Sequence, residues 1–164
     1  MHAGDQDLVL LNGETWRFTQ SMYIPGSLKA TTTFTHIMQM KMPGTGTLPI
    51  LVQSLRRSGS TPTIELKVTS GDVRVGSTNL GPLQNKWIDV LLDLTIGDSA
   101  TGRVRWALFD GATSIVDVTR TGLDTWLDDR VRPKWGIYRS LGDTSGSLQD
   151  CYLLLTRMRA YQSI

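Results

Sequence analysis

The stretch Arg132-Pro133-Lys134-Trp135-Gly136-Ile137-Tyr138-Arg139-Ser140 reads as one β-strand whose two faces differ in chemistry. Side chains alternate across a strand with a period of two. Lys134, Gly136, Tyr138 and Ser140 therefore share one face, and Trp135, Ile137 and Leu141 share the other. The second set is core material. The first places a cation and a phenol on either side of a gap, because a glycine inside a strand packs nothing and marks a place where a ligand or another backbone comes close. Such a face can grip an anion and move a proton. An ordinary half-exposed strand whose glycine forms a bulge is the alternative that the local pattern leaves open.

Working outward, the chain reads as strand after strand. Asp7 to Leu11 is a short apolar run closed by the turn pair Asn12-Gly13. Glu14 to Ile24 alternates Trp16, Phe18, Gln20 and Met22 against Arg17, Thr19, Ser21 and Tyr23, and Pro25-Gly26 ends it. Ala30 to Lys41, Leu48 to Arg57, Thr63 to Thr69 and Asp72 to Gly76 follow, separated by glycine, proline and serine. Lys86 to Ile96 holds three leucines, but its β-branched and aromatic residues and the closing Gly97 favour a strand over a helix. Gly102 to Phe109 and Thr113 to Thr119 form a hairpin about Asp110-Gly111. Leu123 to Asp129 is the one stretch assigned a helical turn, and Gln149 to Tyr161 is the last strand. Many short strands with glycine and proline turns predict an all-β fold, a two-sheet antiparallel sandwich or jelly roll. Each strand gives one face to the core, which leaves the outer face of one sheet free to bind.

At 164 residues the chain fits a single domain spanning 1–164, large enough to bury a core without staples. The net charge is only +2 and the basic residues form no run, so the electrostatic footprint of a nucleic-acid binder is missing. No segment is apolar for long enough to span a membrane. Cys151 is the sole cysteine, which rules out an internal disulfide, and its apolar neighbours Tyr152 to Leu155 predict a buried, inert thiol. The amino terminus from Met1 to Asp7 is polar and lacks the apolar stretch of a signal peptide. His2 lies near that terminus, so a two-histidine metal site is not expected; the loop residues Asp143 and Asp150 are the candidates for a structural calcium.

Phe34-Thr35-His36-Ile37-Met38-Gln39-Met40-Lys41 is the second informative stretch. Strict alternation puts Phe34, His36, Met38 and Met40 toward the core and Thr35, Ile37, Gln39 and Lys41 on the open face. On that pattern His36 is a hydrogen-bonded buried histidine; one bulge would reverse the assignment beyond it.

Together with Lys86 to Val90, the Gly102 to Gly111 hairpin arm and Lys134 to Arg139, this stretch resembles the polysaccharide lyases of the concanavalin-A-like jelly-roll class. The similarity is to glucuronan lyases first and alginate lyases second, and it runs from Gly13 onward. Their Lys-x-Gly-x-Tyr strand matches Lys134, Gly136 and Tyr138, and their glutamine matches Gln39. The resemblance implies a secreted protein, no required cofactor, an acidic polysaccharide as partner and β-elimination at a uronic acid as the reaction. It also implies a further amino-terminal portion ahead of Asn12-Gly13-Glu14-Thr15-Trp16. Without that portion a sheet edge stays open, and self-association through it is expected.

Elimination needs a group that neutralises the uronate carboxylate, a base for the C5 proton and an acid for the departing oxygen. The resemblance assigns Gln39 to the carboxylate with Lys41 or Lys134 adding charge. Tyr138 serves as base and acid in turn, a role in which a phenol needs a nearby cation, and His36 is the substitute. Arg56, Arg103, Arg105 and Arg139 are candidates for extending an anionic subsite. Asp89 and Asp93 read as solvated and not as a glycosidase pair. A non-catalytic carbohydrate-binding module on the same fold is the alternative from another class. Motifs for serine hydrolases, phosphate loops and zinc peptidases are missing from the sequence.

Overall fold

The computed structural model describes residues 8–44 and 46–163. Asp7 and His2 lie outside the described residues. Among the described residues ten strands run in chain order: β1 Thr15–Tyr23, β2 Thr35–Lys41, β3 Pro49–Ser58, β4 Thr61–Val68, β5 Val73–Asn79, β6 Trp87–Thr95, β7 Gly102–Asp110, β8 Thr113–Leu123, β9 Arg132–Arg139 and β10 Leu154–Gln162. They form two five-stranded antiparallel sheets. The front sheet has the order β5-β4-β3-β2-β9 and the back sheet the order β10-β1-β6-β7-β8. This is the all-β sandwich of the jelly-roll class.

The core lies between the sheets, where alternate residues of each strand meet: Phe18 and Met22 from β1, Leu51 and Leu55 from β3, Ile64 and Leu66 from β4, Ile88 and Leu92 from β6. Trp106 on β7 is fully buried, and Gly76 on β5 allows the two sheets to close over it. A Cβ at Gly76 would stand 3.1 Å from Trp106 Cε3 and 2.6 Å from Val118 Cγ2, closer than packed carbon atoms approach. Gln53 of β3, 1% exposed, ties the layers. Its Oε1 accepts the Trp106 indole N–H at 3.3 Å and its amide nitrogen approaches Met22 Sδ at 3.6 Å, so a buried amide is satisfied within an apolar layer.

Several expected boundaries move. Of the expected Asp7–Leu11 run, the described residues 8–11 contribute a single antiparallel bridge, Leu10 to Val131. The segment before Thr35 is tied in by a Thr31–Arg56 bridge and by the Phe34 carbonyl, which accepts the Ser140 N–H at 3.0 Å, and Leu154, not Gln149, opens β10. Residues 124–130 are irregular; the helical turns are 3-10 turns at Ser70–Asp72 and Gly81–Leu83, where Gly71 supplies φ +67° and Pro82 a preset φ. Leu141, expected in the core, is 86% exposed because β9 stops at Arg139 and the chain turns away. Asp93 is not solvated: it is buried and accepts two hydrogen bonds from Arg17, at 2.6 and 2.8 Å, across the β1–β6 pair. Cys151 is half-buried and faces Arg139, whose Nη1 lies 3.3 Å from the sulfur.

β9 ends the front sheet. Its outer edge carries Arg132, Pro133 and Lys134, so two copies paired edge to edge there would oppose like charges.

Candidate functional site in the front-sheet cleft

The outer face of the front sheet forms a cleft of about 700 Å³. Strand register decides which residues meet there. On β9 the burial alternates residue by residue, with Lys134, Gly136 and Tyr138 outward and Trp135 and Ile137 packed on the core. Trp135 packs against Phe18 of the back sheet, ring centroids 5.9 Å apart and planes tilted by 57°, which anchors the edge strand that carries Tyr138.

β2 breaks its alternation. Its register shifts between His36 and Met38 against both neighbours: against β3 the extra residue is Ile37 on β2, a bulge that lets Ile37 and Met38 both turn inward, and against β9 the extra residue is on β9, where Gly136 and Ile137 together face Ile37. As a result His36, Gln39 and Lys41 all line the cleft. The expectation that His36 faces the core is corrected: the bulge re-aims it.

Two rows then cross the sheet. In the first, His36 stands between Tyr138 on β9 and Ser54 on β3, and Ser54 pairs with Glu65 on β4. In the second, Gln39 stands between Lys134 on β9 and Val52 on β3, and Val52 pairs with Lys67 on β4. Gly136 lies between the rows; a Cβ built on it meets nothing within 4 Å, so the strand leaves open space there. Its φ of +137° is a backbone conformation that side-chain-bearing residues avoid.

The first row is aromatic. The His36 and Phe34 rings stack with centroids 4.8 Å apart and planes 17° from parallel, and both lie beside the Tyr138 ring, at 6.2 and 5.4 Å. Tyr138 is 60% exposed, so its hydroxyl is open to a ligand in the cleft. His36 Nδ1 lies 2.7 Å from Ser54 Oγ. Burial, with the positive charges of Arg56 and Lys67 behind it, pushes the imidazole down to about 4, so His36 is neutral at neutral pH.

This shift predicts a pH dependence of stability. The unfolded histidine takes up a proton near pH 6.5 while the folded one resists until about 4. Stability attributable to His36 is therefore complete above pH 6.5 and is lost as the pH falls toward 4. Urea midpoints of the parent protein should drop across that window, and a His36→Gln variant should show a flatter profile. Equal pH profiles would contradict the burial of the neutral ring.

Among the described residues Lys41, Arg56, Lys67 and Lys134 outnumber the single carboxylate that lines the cleft, Glu65. Glu65 is buried between Arg56 at 3.8 Å and Arg74 at 3.2 Å. Lys67 is paired with Asp72. Lys41 donates to the Gly44 carbonyl at 3.1 Å and to Thr47 Oγ1, holding the loop after β2; burial and the nearby Lys134 and Arg132 lower its affinity for a proton. Lys134 makes no ion pair among the described residues, which leaves it as the cation open to an incoming anion.

Of the residues singled out from sequence, Tyr138, His36, Gln39, Lys134, Lys41 and Arg56 meet in this cleft. Three do not. Arg103 and Arg105 lie on β7 of the back sheet: Arg103 shares a shallow hollow with Arg17, Asp93 and Tyr161, and Arg105 makes a two-bond contact with Asp117 at 2.9 and 2.8 Å. Arg139 points to the other side of β9, where it donates to the Gln149 carbonyl at 2.7 Å. Of the two calcium candidates, Asp143 accepts hydrogen bonds from Thr32 and Ser145, which hold its carboxyl well below the usual range. Phe34, expected in the core, lines the cleft beside His36. Ser54, Glu65 and Lys67 join the site unannounced, because β3 and β4 alternate like any half-buried strand and only the sheet order reveals that their outward faces border β2.

No protein-family model matches this chain, and no curated protein matches it in sequence. Solved structures do match it in shape. An alginate lyase from Klebsiella pneumoniae superposes with a TM-score of 0.54 at 13% identity, over 91% of this chain and 60% of that one. The fold is that of the alginate-lyase jelly rolls. A marine PL-14 alginate lyase from Aplysia kurodai gives 0.57 at 13% identity, over 94% and 72% of the two chains. An alginate lyase from Pseudomonas aeruginosa gives 0.55 at 11% identity, over 93% and 66%. This chain thus spans about three fifths of the length of the Klebsiella enzyme, and at these identities the likeness is one of fold.

Proposed function

We propose that this protein binds a uronate-containing polysaccharide in the front-sheet cleft and cleaves it by β-elimination. The observation that carries the reading is the pair of neighbouring rows, Tyr138 beside His36 and Lys134 beside Gln39, with open space at Gly136 between them. The fold shared with alginate lyases supports it. A sugar ring over Gly136 directs its carboxylate to the Gln39 amide and the Lys134 ammonium. That contact draws charge out of C5 and stabilises the carbanion-like transition state. Tyr138, once its hydroxyl proton has passed to solvent, takes the C5 proton. The C5–H electron pair becomes the C4=C5 double bond, the C4–O bond breaks, and Tyr138 returns the proton to the departing oxygen.

Gln39→Ala removes a contact made in the ground state and strengthened in the transition state. Binding and turnover should each fall, turnover the more, by about tenfold or above. Calorimetry and initial rates on one oligosaccharide would show it; a change in turnover alone would move Gln39 away from the carboxylate.

The stacked Phe34, His36 and Tyr138 rings also suit a lectin-like cleft that holds a sugar face and breaks no bond. Ultraviolet absorbance of unsaturated uronate ends, followed on alginate, glucuronan and glycosaminoglycans, separates the two readings. The lyase reading expects absorbance to rise on at least one polymer. Binding with no rise on any of them would establish the lectin in its place.

A further inference from the structure

The hydroxyl of Ser54 bears on what His36 can do. Ser54 is 2% exposed, and a buried hydroxyl proton must find an acceptor. Among the described residues its Oγ has one hydrogen-bond partner, His36 Nδ1 at 2.7 Å. Its cross-strand neighbour Glu65 is engaged instead with Arg56 and Arg74. The plane of the imidazole is further held by its stack on Phe34, and a half-turn of the ring within that plane would put carbon against Ser54 Oγ and forfeit the hydrogen bond. Nε2 has no partner among the described residues, on a ring that lines the cleft.

We infer that Ser54 donates its hydroxyl proton to His36 Nδ1, fixes the imidazole as the tautomer protonated on Nε2, and so makes His36 a neutral hydrogen-bond donor into the cleft. A neutral ring carries one N–H, and an occupied Nδ1 lone pair puts that proton on Nε2. In this state the cleft-facing nitrogen has no lone pair, so His36 does not take the C5 proton. It donates to an oxygen of the bound sugar, its carboxylate or its glycosidic oxygen, and Tyr138 keeps the proton transfer to itself. The groups around the ring agree with this division: Tyr138 from β9, Arg56 from β3, and Glu65 and Lys67 from β4 supply a phenol, paired charges and no base directed at Nε2. Ser54 is thus a positioning residue. Its effect on turnover rests on the lyase reading, whereas the tautomer does not.

The test is nitrogen NMR of the imidazole in the ligand-free protein at neutral pH, where the pattern of ring couplings tells which nitrogen carries the proton. The expected pattern in the parent protein is Nε2 protonated and Nδ1 bare. Ser54→Ala should allow a mixture of tautomers, and Ser54→Thr, which keeps the hydroxyl, should restore the single form. In turnover assays Ser54→Ala should lose about tenfold in kcat with KM little changed, and Ser54→Thr should recover it. A parent protein with its proton on Nδ1 would overturn the inference outright, as would a Ser54→Ala ring whose tautomer stays fixed. The parent measurement decides even if Ser54→Ala does not fold. If no polysaccharide is cleaved, the lyase reading fails while the NMR result still stands or falls alone.

Discussion

Tyr138→Phe should reduce turnover on a cleaved polysaccharide by about 100- to 10,000-fold, the range expected for loss of a general acid or base, with binding changed by no more than a few-fold. The argument is geometric. The substitution removes one oxygen from a side chain that is 60% exposed and leaves the ring in place beside Phe34 and His36, so the strand and its packing survive. What disappears is the group that both accepts the C5 proton and returns it to the leaving oxygen. Circular dichroism and an unchanged urea midpoint would establish that the variant is folded. A folded Tyr138→Phe protein with full turnover would remove Tyr138 from the chemistry. It would also undo the division of labour between Tyr138 and His36, since some other group would then have to take the proton.

Trp106→Ala should cost about 3 to 5 kcal/mol of stability, the range for emptying a large aromatic site in a core. Trp106 is fully buried on β7, its ring fills the space that Gly76 leaves on β5, and its N–H is the hydrogen-bond partner of Gln53 on β3. Removing it empties that space and deprives the Gln53 carbonyl, in an almost fully buried residue, of its donor, so two destabilising effects add. Because Gln53 lies on β3 next to Ser54, loosening is expected to reach Ser54 and His36 before it reaches Tyr138 on β9. Urea denaturation would read the loss as a lower midpoint at an unchanged slope. A loss below about 1 kcal/mol would mean that the sheets are held together elsewhere, contrary to this view of the core.

The fold and part of the site are legible in the residues, and physical causes separate what can be read from what cannot. Lys134, Gly136 and Tyr138 are found on one face because burial along β9 alternates residue by residue even where its register against β2 shifts at Gly136–Ile137, and two-residue periodicity is the strongest signal a strand carries. Asp110-Gly111 marks the β7–β8 hairpin because Gly111 takes the positive φ, +58°, that the first position of the two-residue turn after Asp110 requires. His36 is misplaced because a bulge leaves no mark in composition: Ile37 and Met38 are both apolar, and a run of two such residues reads as well as one face or the other. Arg103 and Arg105 are misassigned for a different reason. Alternation places them outward correctly, but each sheet of a sandwich has an outward face, and only pairing reveals that β7 belongs to the sheet opposite the cleft. Arg139 sits one residue beyond Tyr138 and so on the other face of β9, a distinction that periodicity does contain. Ser54 and Glu65 have no local signal; they matter because β3 and β4 are the strands beyond β2, a fact of topology.

The claim that the two rows of the front sheet form the binding site is tested most directly by titrating isotope-labelled protein with a short uronate oligosaccharide and mapping the shifts residue by residue. Shifts are expected to be largest at His36, Gln39, Lys134, Gly136 and Tyr138, with Val52, Ser54 and Lys67 following across the sheet. Shifts centred on Arg17, Arg103 and Tyr161 of the back sheet, with the front-sheet rows unmoved, would contradict it.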